Sequence, residues 1–428
     1  MPQYLLIRGA RQLLTLDGKA PRRGAQLSDI RVVQDGSVLV IGEHVYAVGS
    51  ARQVDNLKLA RGAQEVDASG KLVMPGFVDS HTHFLFPASR LGDFERRIKG
   101  ASYLDIAADG GGILSTVRAF RLATAQGLAR IGERWLRRFA ACGTTTVEGK
   151  SGYGLALQPE TKGLRVMRKL DGRPVTVVPT FLGAHAVPPE FESDPEQYVD
   201  EIVQRILPEV RAKRLAEFCD AFCDQGAFDA AQCRRVLEAA RSLGLGRKLH
   251  ADQLSRRAGV QLALELGAAS VDHLELLEGD DLHRLAASET VATLLPGSVF
   301  HLGRDRYAPA RRLIDAGAIV ALATDFNPGT SPTVNMQMIL ALACSHMRMS
   351  PAEAIGAATV NGAAALGIAG VTGSLAPDKF ADIAIFDVPD YRELPYYFGM
   401  NLCWMTIRRG RIVWRAGDPP VEQEEAPG

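Results

Sequence analysis

Hydrophobic and polar positions change rhythm twice along the 428 residues of this chain. The N-terminal segments YLLIRGA, DIRVVQDG, SVLVIGEHVYAVGS and QEVDASGKLVMPG are rich in β-branched and apolar residues. Gly or Asp-Gly steps break them, so they predict short strands joined by turns. From about Pro75, short apolar runs alternate with amphipathic stretches. TTTVEGKS precedes TKGLRVMRKL, VTVVPTF precedes PEQYVDEIVQRILPEVRAKR, RKLHAD precedes RAGVQLALELG, and IVALATDF precedes TVNMQMILALACSHM. Strand–helix alternation sustained this long predicts parallel strands covered by helices, and a closed barrel accommodates the count better than an open sheet. Strand signals return in GSLAPDKFADIAIFD and MTIRRGRIVWRAG. The pattern predicts an α/β fold: a (β/α)₈ TIM-like barrel over 71–368, with a small β-sandwich domain built from 1–70 and 369–417. A tail, 418–428, is polar enough to be disordered.

Composition alters this picture little. Hydrophobic residues make up 46% and charged residues 23%, as in an ordinary globular enzyme. Lys+Arg and Asp+Glu balance at 49 each, which leaves no basic field for nucleic acid or anionic lipid. Six cysteines lie at 142, 219, 223, 233, 344 and 403 without a CxxC pair, and are expected to be reduced thiols. No apolar run is long enough to span a membrane, and the start lacks a signal-peptide pattern, so a cytoplasmic protein is expected.

Chemistry concentrates where the apolar runs end. In VDSHTHF, His81 and His83 are two residues apart, which on a strand points both to one side. HxH alone is a weak signal. However, His250 closes GRKLHAD, His273 closes SVDHLE and Asp325 closes VALATDF. Four histidines and an aspartate at the tops of candidate barrel strands occupy the place where barrel active sites assemble. Imidazoles with one carboxylate suit Zn²⁺ or an iron ion, and such an ion brings the pKa of water from about 15.7 toward 7. Asp325 is placed to shuttle a proton from that water to a leaving nitrogen, and His273 to stabilise a developing oxyanion.

H-T-H at 81–83, His250 and the DF-N-P segment resemble the amidohydrolase superfamily. SYLDIAADGGGILSTV (102–117), KSGYGL (150–155), FLGAHAVPPE (181–190), KLHADQLS (248–255) and TDFNPGTSP (324–332) resemble its imidazolonepropionase family specifically. The resemblance runs from about residue 70 to 415, in the family's order. It implies hydrolysis of the cyclic amide of 4-imidazolone-5-propanoate to N-formimidoyl-L-glutamate, in histidine degradation. It also implies one Zn²⁺ or Fe³⁺ per chain on His81, His83, His250 and Asp325, and a homodimer. Substrate contacts carry over to Arg90, Tyr103, Tyr153, His185, Gln253, Asn327, Gly329 and Thr330, with His273 beside the water. These types suit a small acid: Arg90 offers a fork of donors to a carboxylate, and His185 is expected to donate to a ring oxygen or carboxylate.

Two positions depart from the family. Pro87-Ala88 stands where Gly-containing pairs are commoner before the arginine, and position 253 is Gln where some members carry Glu. An amide cannot act as a base. Lys150 invites comparison with the carbamylated lysines of two-metal branches, and Glu148 with a residue supporting the ligands. His44, His283, His301 and His346 fall outside strand tops. The competing readings are a related cyclic amidohydrolase or deaminase, and a non-catalytic homologue, which should have lost ligands that are all present here.

Overall fold

Strands from both ends of the chain meet in one sheet. The computed structural model describes residues 4–102, 105–106 and 109–418. β1 (Tyr4–Leu14), β2 (Val32–Ile41), β3 (His44–Ser50), β4 (Gln64–Asp67) and β5 (Leu72–Pro75) come first. The next eight strands build the barrel: β6 (Phe77–Asp79), β7 (Thr144–Lys150), β8 (Thr176–Ala184), β9 (Phe218–Cys223), β10 (Gly246–Ala251), β11 (Ser270–His273), β12 (Val291–Leu294) and β13 (Val320–Leu322). β14 (Ile383–Phe386), β15 (Cys403–Arg408) and β16 (Arg411–Arg415) return to the first sheet, in the order β16-β15-β14-β5-β1-β2-β3 with β4 also on β1.

Alternation explains how the two parts join. On β14, Ile383 and Ile385 face the sheet's own core with Val73, Met405 and Ile407. Ala384 and Phe386 face the other way, into the barrel's core with Leu72, Met74 and Phe77. A strand with two apolar faces must be covered twice, and here the second cover is the barrel.

The barrel strands run parallel in sequence order, each joined to the next by helix. The ends meet at the rim through Asp325 N–H to His81 O at 3.0 Å and His83 N–H to Phe326 O at 2.8 Å. Asp79 seals the same seam, accepting the Thr324 N–H at 3.0 Å and its hydroxyl at 2.6 Å. Among the described residues no helix is long and apolar enough to cross a membrane.

Two local expectations are corrected. Asp35-Gly36 is no turn but a kink inside β2, with Asp35 at φ 47°; the hairpin turn lies at Gly42-Glu43. The stretch 195–212 is not one regular helix, because Pro208 cannot donate to the ladder. The chain takes a π turn at Ile202–Ile206, with Leu207 N–H reaching Ile202 O, before resuming at Leu207–Ala212. Of the expected tail, residues 419–428 lie outside the described residues.

Phe386 is fully buried at the junction, its ring centroid 5.7 Å from that of Phe77. Phe386→Ala is expected to cost about 3–5 kcal/mol, read as a lowered denaturant midpoint; an unchanged midpoint would mean the sheet is not bound through this face.

Candidate active site and metal centre

β6 ends in the HxH segment, and both imidazoles point into the barrel mouth because alternate residues of an extended chain share a side. His81 and His83 bring their Nε2 atoms within 3.3 Å, and His250 Nε2 lies 3.5 Å from that of His83. Asp325 Oδ1 is 3.5 Å from His81 Nε2 and 3.7 Å from His83 Nε2. All four residues are buried.

The carboxylates below fix which ring nitrogens carry protons. His81 Nδ1 lies 2.6 Å from Asp272 Oδ2, and His250 Nδ1 lies 3.1 Å from Asp220 Oδ2. A carboxylate favours N–H on the nitrogen it faces, so the Nε2 lone pairs of both rings are turned toward His83 and Asp325. Burial, reinforced by neighbouring cations, pushes His81 and His83 well below the usual histidine range, so both rings are neutral. His83 Nδ1 is buried without a hydrogen-bond partner. Converging lone pairs with a carboxylate beside them repel one another unless a cation sits between. Two ligands about 2.0–2.1 Å from a tetrahedral ion stand about 3.4 Å apart, close to the observed nitrogen spacings. The donor set therefore fits one metal ion.

Below it, β7, β9 and β11 meet across the barrel interior. Lys150 Nζ lies 2.6 Å from Asp220 Oδ2, 3.0 Å from Glu148 Oε2 and 3.5 Å from Asp272 Oδ2. Lys248 Nζ lies 2.9 Å from Glu148 Oε2 and donates to Ser80 O at 2.9 Å. Burial is the largest influence on Lys150 and disfavours its charge, but Asp220, Glu148 and Asp272 together outweigh it and raise the pKa. A carbamate forms on a neutral amine, so this ammonium is held away from that modification.

The cavity above is lined by His83, Arg90, Tyr153, His185, His250, Gln253, His273, Asp325, Asn327 and Thr330, with Ile113, Phe222, Leu254 and Leu302 as its apolar wall. His81 and Gly329 do not themselves line it. Tyr103 lies outside the described residues. The Pro87-Ala88 departure does not divert Arg90: Nε donates to Thr116 Oγ1 at 2.8 Å, and the guanidinium lies 5.9 Å from the centre of the Tyr153 ring. A Cβ at Gly329 would fall 2.5 Å from Arg90 Nη1, so only glycine leaves the guanidinium its place.

Two expected contacts change character. His185 Nδ1 lies 2.9 Å from Gly152 O, which can only accept, so this nitrogen carries the proton. Burial holds the ring's pKa at about 3, so His185 presents an accepting Nε2 and is not the donor expected from sequence. Asn327 uses its polar atoms within its own loop. Its Oδ1 accepts from Gly329 N and Thr330 N at 2.8 Å each, and its Nδ2 donates to Asp325 O at 2.6 Å and Thr330 Oγ1 at 2.8 Å. Thr330 Oγ1 in turn donates to Asp325 Oδ2 at 3.3 Å. Asn327 therefore shapes the loop that steadies Asp325.

The rim carries backbone strain where the chemistry sits: Asp325 has φ 53° and His273 φ 83°. Non-glycine residues in this region cost about 1–3 kcal/mol each and cluster at functional sites. Burial raises the Asp325 pKa to about 6 against the opposing pull of His273 and His250. For His273, burial works to lower the pKa, but Glu275, Asp325 and Asp272 raise it overall.

Sequence reasoning missed Asp220, Asp272, Lys248, Glu275 and Glu160. Glu275 Oε1 lies 3.4 Å from His273 Nδ1. Glu160 accepts the N–H groups of Gly152, Gly154 and Leu155 at 2.7–3.2 Å, holding the loop that displays Tyr153. A signal existed for the aspartates. FCDAFC and SVDH each place an ionisable residue inside an apolar strand, where it must find a partner. His44, His301 and His346 stack on Phe380, Phe94 and Tyr307, away from the imidazole cluster.

The sequence profile of the amidohydrolase family matches residues 72–413. The chain is 43% identical over 411 residues to the imidazolonepropionase of Alkaliphilus metalliredigens, covering 96% of this chain and 97% of that one. It is 46% identical over 415 residues to the imidazolonepropionase of Symbiobacterium thermophilum, with 96% and 97% covered. Among solved structures, a triazine hydrolase variant matches with a TM-score of 0.77 at 17% identity, covering 98% of this chain and 97% of that one. E. coli guanine deaminase matches with a TM-score of 0.72 at 16% identity, covering 96% and 99%. The structural likenesses establish the barrel and its accompanying sheet as a shared fold. Together with the profile and the near-full-length relatives, they show that the chain belongs to the amidohydrolase family, in its imidazolonepropionase branch.

Proposed function

We propose that the chain hydrolyses 4-imidazolone-5-propanoate to N-formimidoyl-L-glutamate, using one Zn²⁺ or Fe³⁺ held by His81, His83, His250 and Asp325. The observation that carries this reading is a single cavity with converging imidazoles and Asp325 at its floor and a guanidinium, Arg90, in its wall. A cyclic amide bearing a carboxylate tail fits both features. Nitrogen donors with one carboxylate oxygen suit zinc or iron. When bound, such an ion acidifies water and polarises the carbonyl under attack.

The chain's own residues supply the remainder. Arg90 pairs with the propanoate, its Nε already fixed by Thr116 and its plane beside Tyr153. Tyr153 and Gln253 orient the imidazolone, with His185 accepting from a ring N–H through Nε2. Asp325, steadied by Thr330, takes the proton of the attacking water and returns it to the leaving ring nitrogen, so the amide C–N bond breaks without a free amide anion. His273, backed by Glu275, meets the charge growing on the carbonyl oxygen. Gln253 cannot carry protons and serves only to position.

A deaminase reading is not favoured, since the deaminase and triazine hydrolase neighbours share little beyond the fold. Six free thiols, five of them buried, fit a reducing compartment such as the cytoplasm. A homodimer fits the apolar loop at 395–400, where Tyr396 is 75% and Phe398 73% exposed. Sedimentation should return twice the chain mass, reduced to a single chain by Phe398→Asp; a monomeric wild type refutes the pairing.

Turnover of freshly generated 4-imidazolone-5-propanoate, followed as N-formimidoyl-L-glutamate, tests the reaction itself. His250→Ala should lose both this turnover and most of the bound metal; full metal content in that variant would remove His250 from the ligand set. Arg90→Ala and Gln253→Ala should separate. Loss of a charge-assisted pair is worth about 1.5–3 kcal/mol, so Arg90→Ala should lower kcat/KM roughly ten- to a hundred-fold. Gln253→Ala should lose activity with an unshifted pH profile, and a vanished titration would instead make Gln253 part of the proton path.

A further inference from the structure

Beneath the imidazole cluster lies a second set of converging donors that the proposed reaction does not use. Glu148, Asp220 and Asp272 come from three strands that are not neighbours in the barrel, and each side chain is fully buried. Glu148 and Asp272 each offer an oxygen within 4.8 Å of a nitrogen of His81, the ring that closes this set from above. Asp272 Oδ1 is buried without a hydrogen-bond partner. The site is therefore acidic, dry and left with unused acceptor capacity.

What stands among these oxygens is an ammonium. Lys150 Nζ is 2.6 Å from Asp220, 3.0 Å from Glu148 and 3.5 Å from Asp272. Three carboxylates face two lysines, Lys150 and Lys248, so the group carries one net negative charge. Without Lys150 it would carry two, which is the charge of a divalent ion, and a buried charge of that size is not tolerated uncompensated.

We propose that this cluster is a second, latent cation site for a hard, oxygen-preferring divalent ion, and that the Lys150 ammonium occupies it permanently. The lysine thereby confines the barrel to one exchangeable metal. Being covalently tethered, it also stays when a chelator strips the ion above. Asp220 and Asp272 then keep their charge partner, and with it their hold on His250 and His81. The inference is independent of the substrate assignment.

The test compares wild type with Lys150→Ala, both loaded with zinc and then titrated with MnCl₂. Zinc and manganese per chain are measured after desalting, and melting temperature is followed throughout. Wild type should keep its zinc and take up no manganese. Lys150→Ala should bind one manganese per chain in addition to zinc and melt higher with manganese than without, as any ligand of the folded state stabilises it. A variant that folds only when manganese is present supports the proposal equally. Lys150→Ala/Glu148→Gln restores the wild-type net charge and exchanges an anionic carboxylate for a neutral amide, so it should fold without manganese and bind none. Manganese uptake by wild type or by this double variant overturns the proposal. So does a Lys150→Ala protein that ignores manganese, whether it is folded with zinc alone or unfolded at every concentration.

Discussion

The pairing of Lys150 with Asp220 and Asp272 is the constraint on which the upper part of the barrel depends. Three strands that share no hydrogen bonds are tied through their side chains in a fully buried interior. Such pairs contribute little net stability, since desolvation opposes the attraction, but breaking one strands a buried charge. Their effect is on specificity. A one-residue slip of β7, β9 or β11 would turn an ionised group outward into the apolar shell, so charge pairing and strand register enforce each other.

That lower layer determines the chemistry of the upper one. Asp272 and Asp220 each face an Nδ1, which frees the Nε2 lone pairs of His81 and His250 for the cavity floor. Rigid strands carry these donors, whereas Asp325 and His273 sit on the rim. Asp325 and His273 adopt left-handed backbone conformations, and Asp325 is braced by the seam at His81 O and by the Asn327–Thr330 loop. The floor thus resists movement, and the rim stores strain.

Much of this was legible from sequence because it is local. HxH at a strand end, an imidazole closing KLH and an aspartate closing ATD report their geometry through the two-residue period of a strand. The sheet shared by the two ends was legible from where strand texture resumed. The remainder depends on distant partners. Asp220 reads as an oddity in FCDAFC until Lys150 is brought 2.6 Å away, and nothing near Asn327 reveals that its amide is spent on its own loop. The tautomer of His185 depends on Gly152 O, thirty-three residues earlier, in a residue whose N–H donates to Glu160. Hydrogen-bond saturation is a property of the folded neighbourhood, and sequence periodicity carries no trace of it.

This division also suits a fold that is shared at low sequence identity. Triazine hydrolase and guanine deaminase superpose over nearly the whole chain at 16–17% identity. The cavity wall here is built largely on rim segments that the barrel does not need in order to close. Arg90 lies beyond the β6 strand end, Gly329 leaves it room, and Glu160 shapes the Tyr153 loop. Changes in these segments alter the shape and polarity of the cavity wall at little cost to strand register. Changes beneath the histidines alter charge in a dry interior and must be compensated within the same layer. The cavity wall can therefore change through the loops of this barrel more readily than the buried donor set can change through the strands.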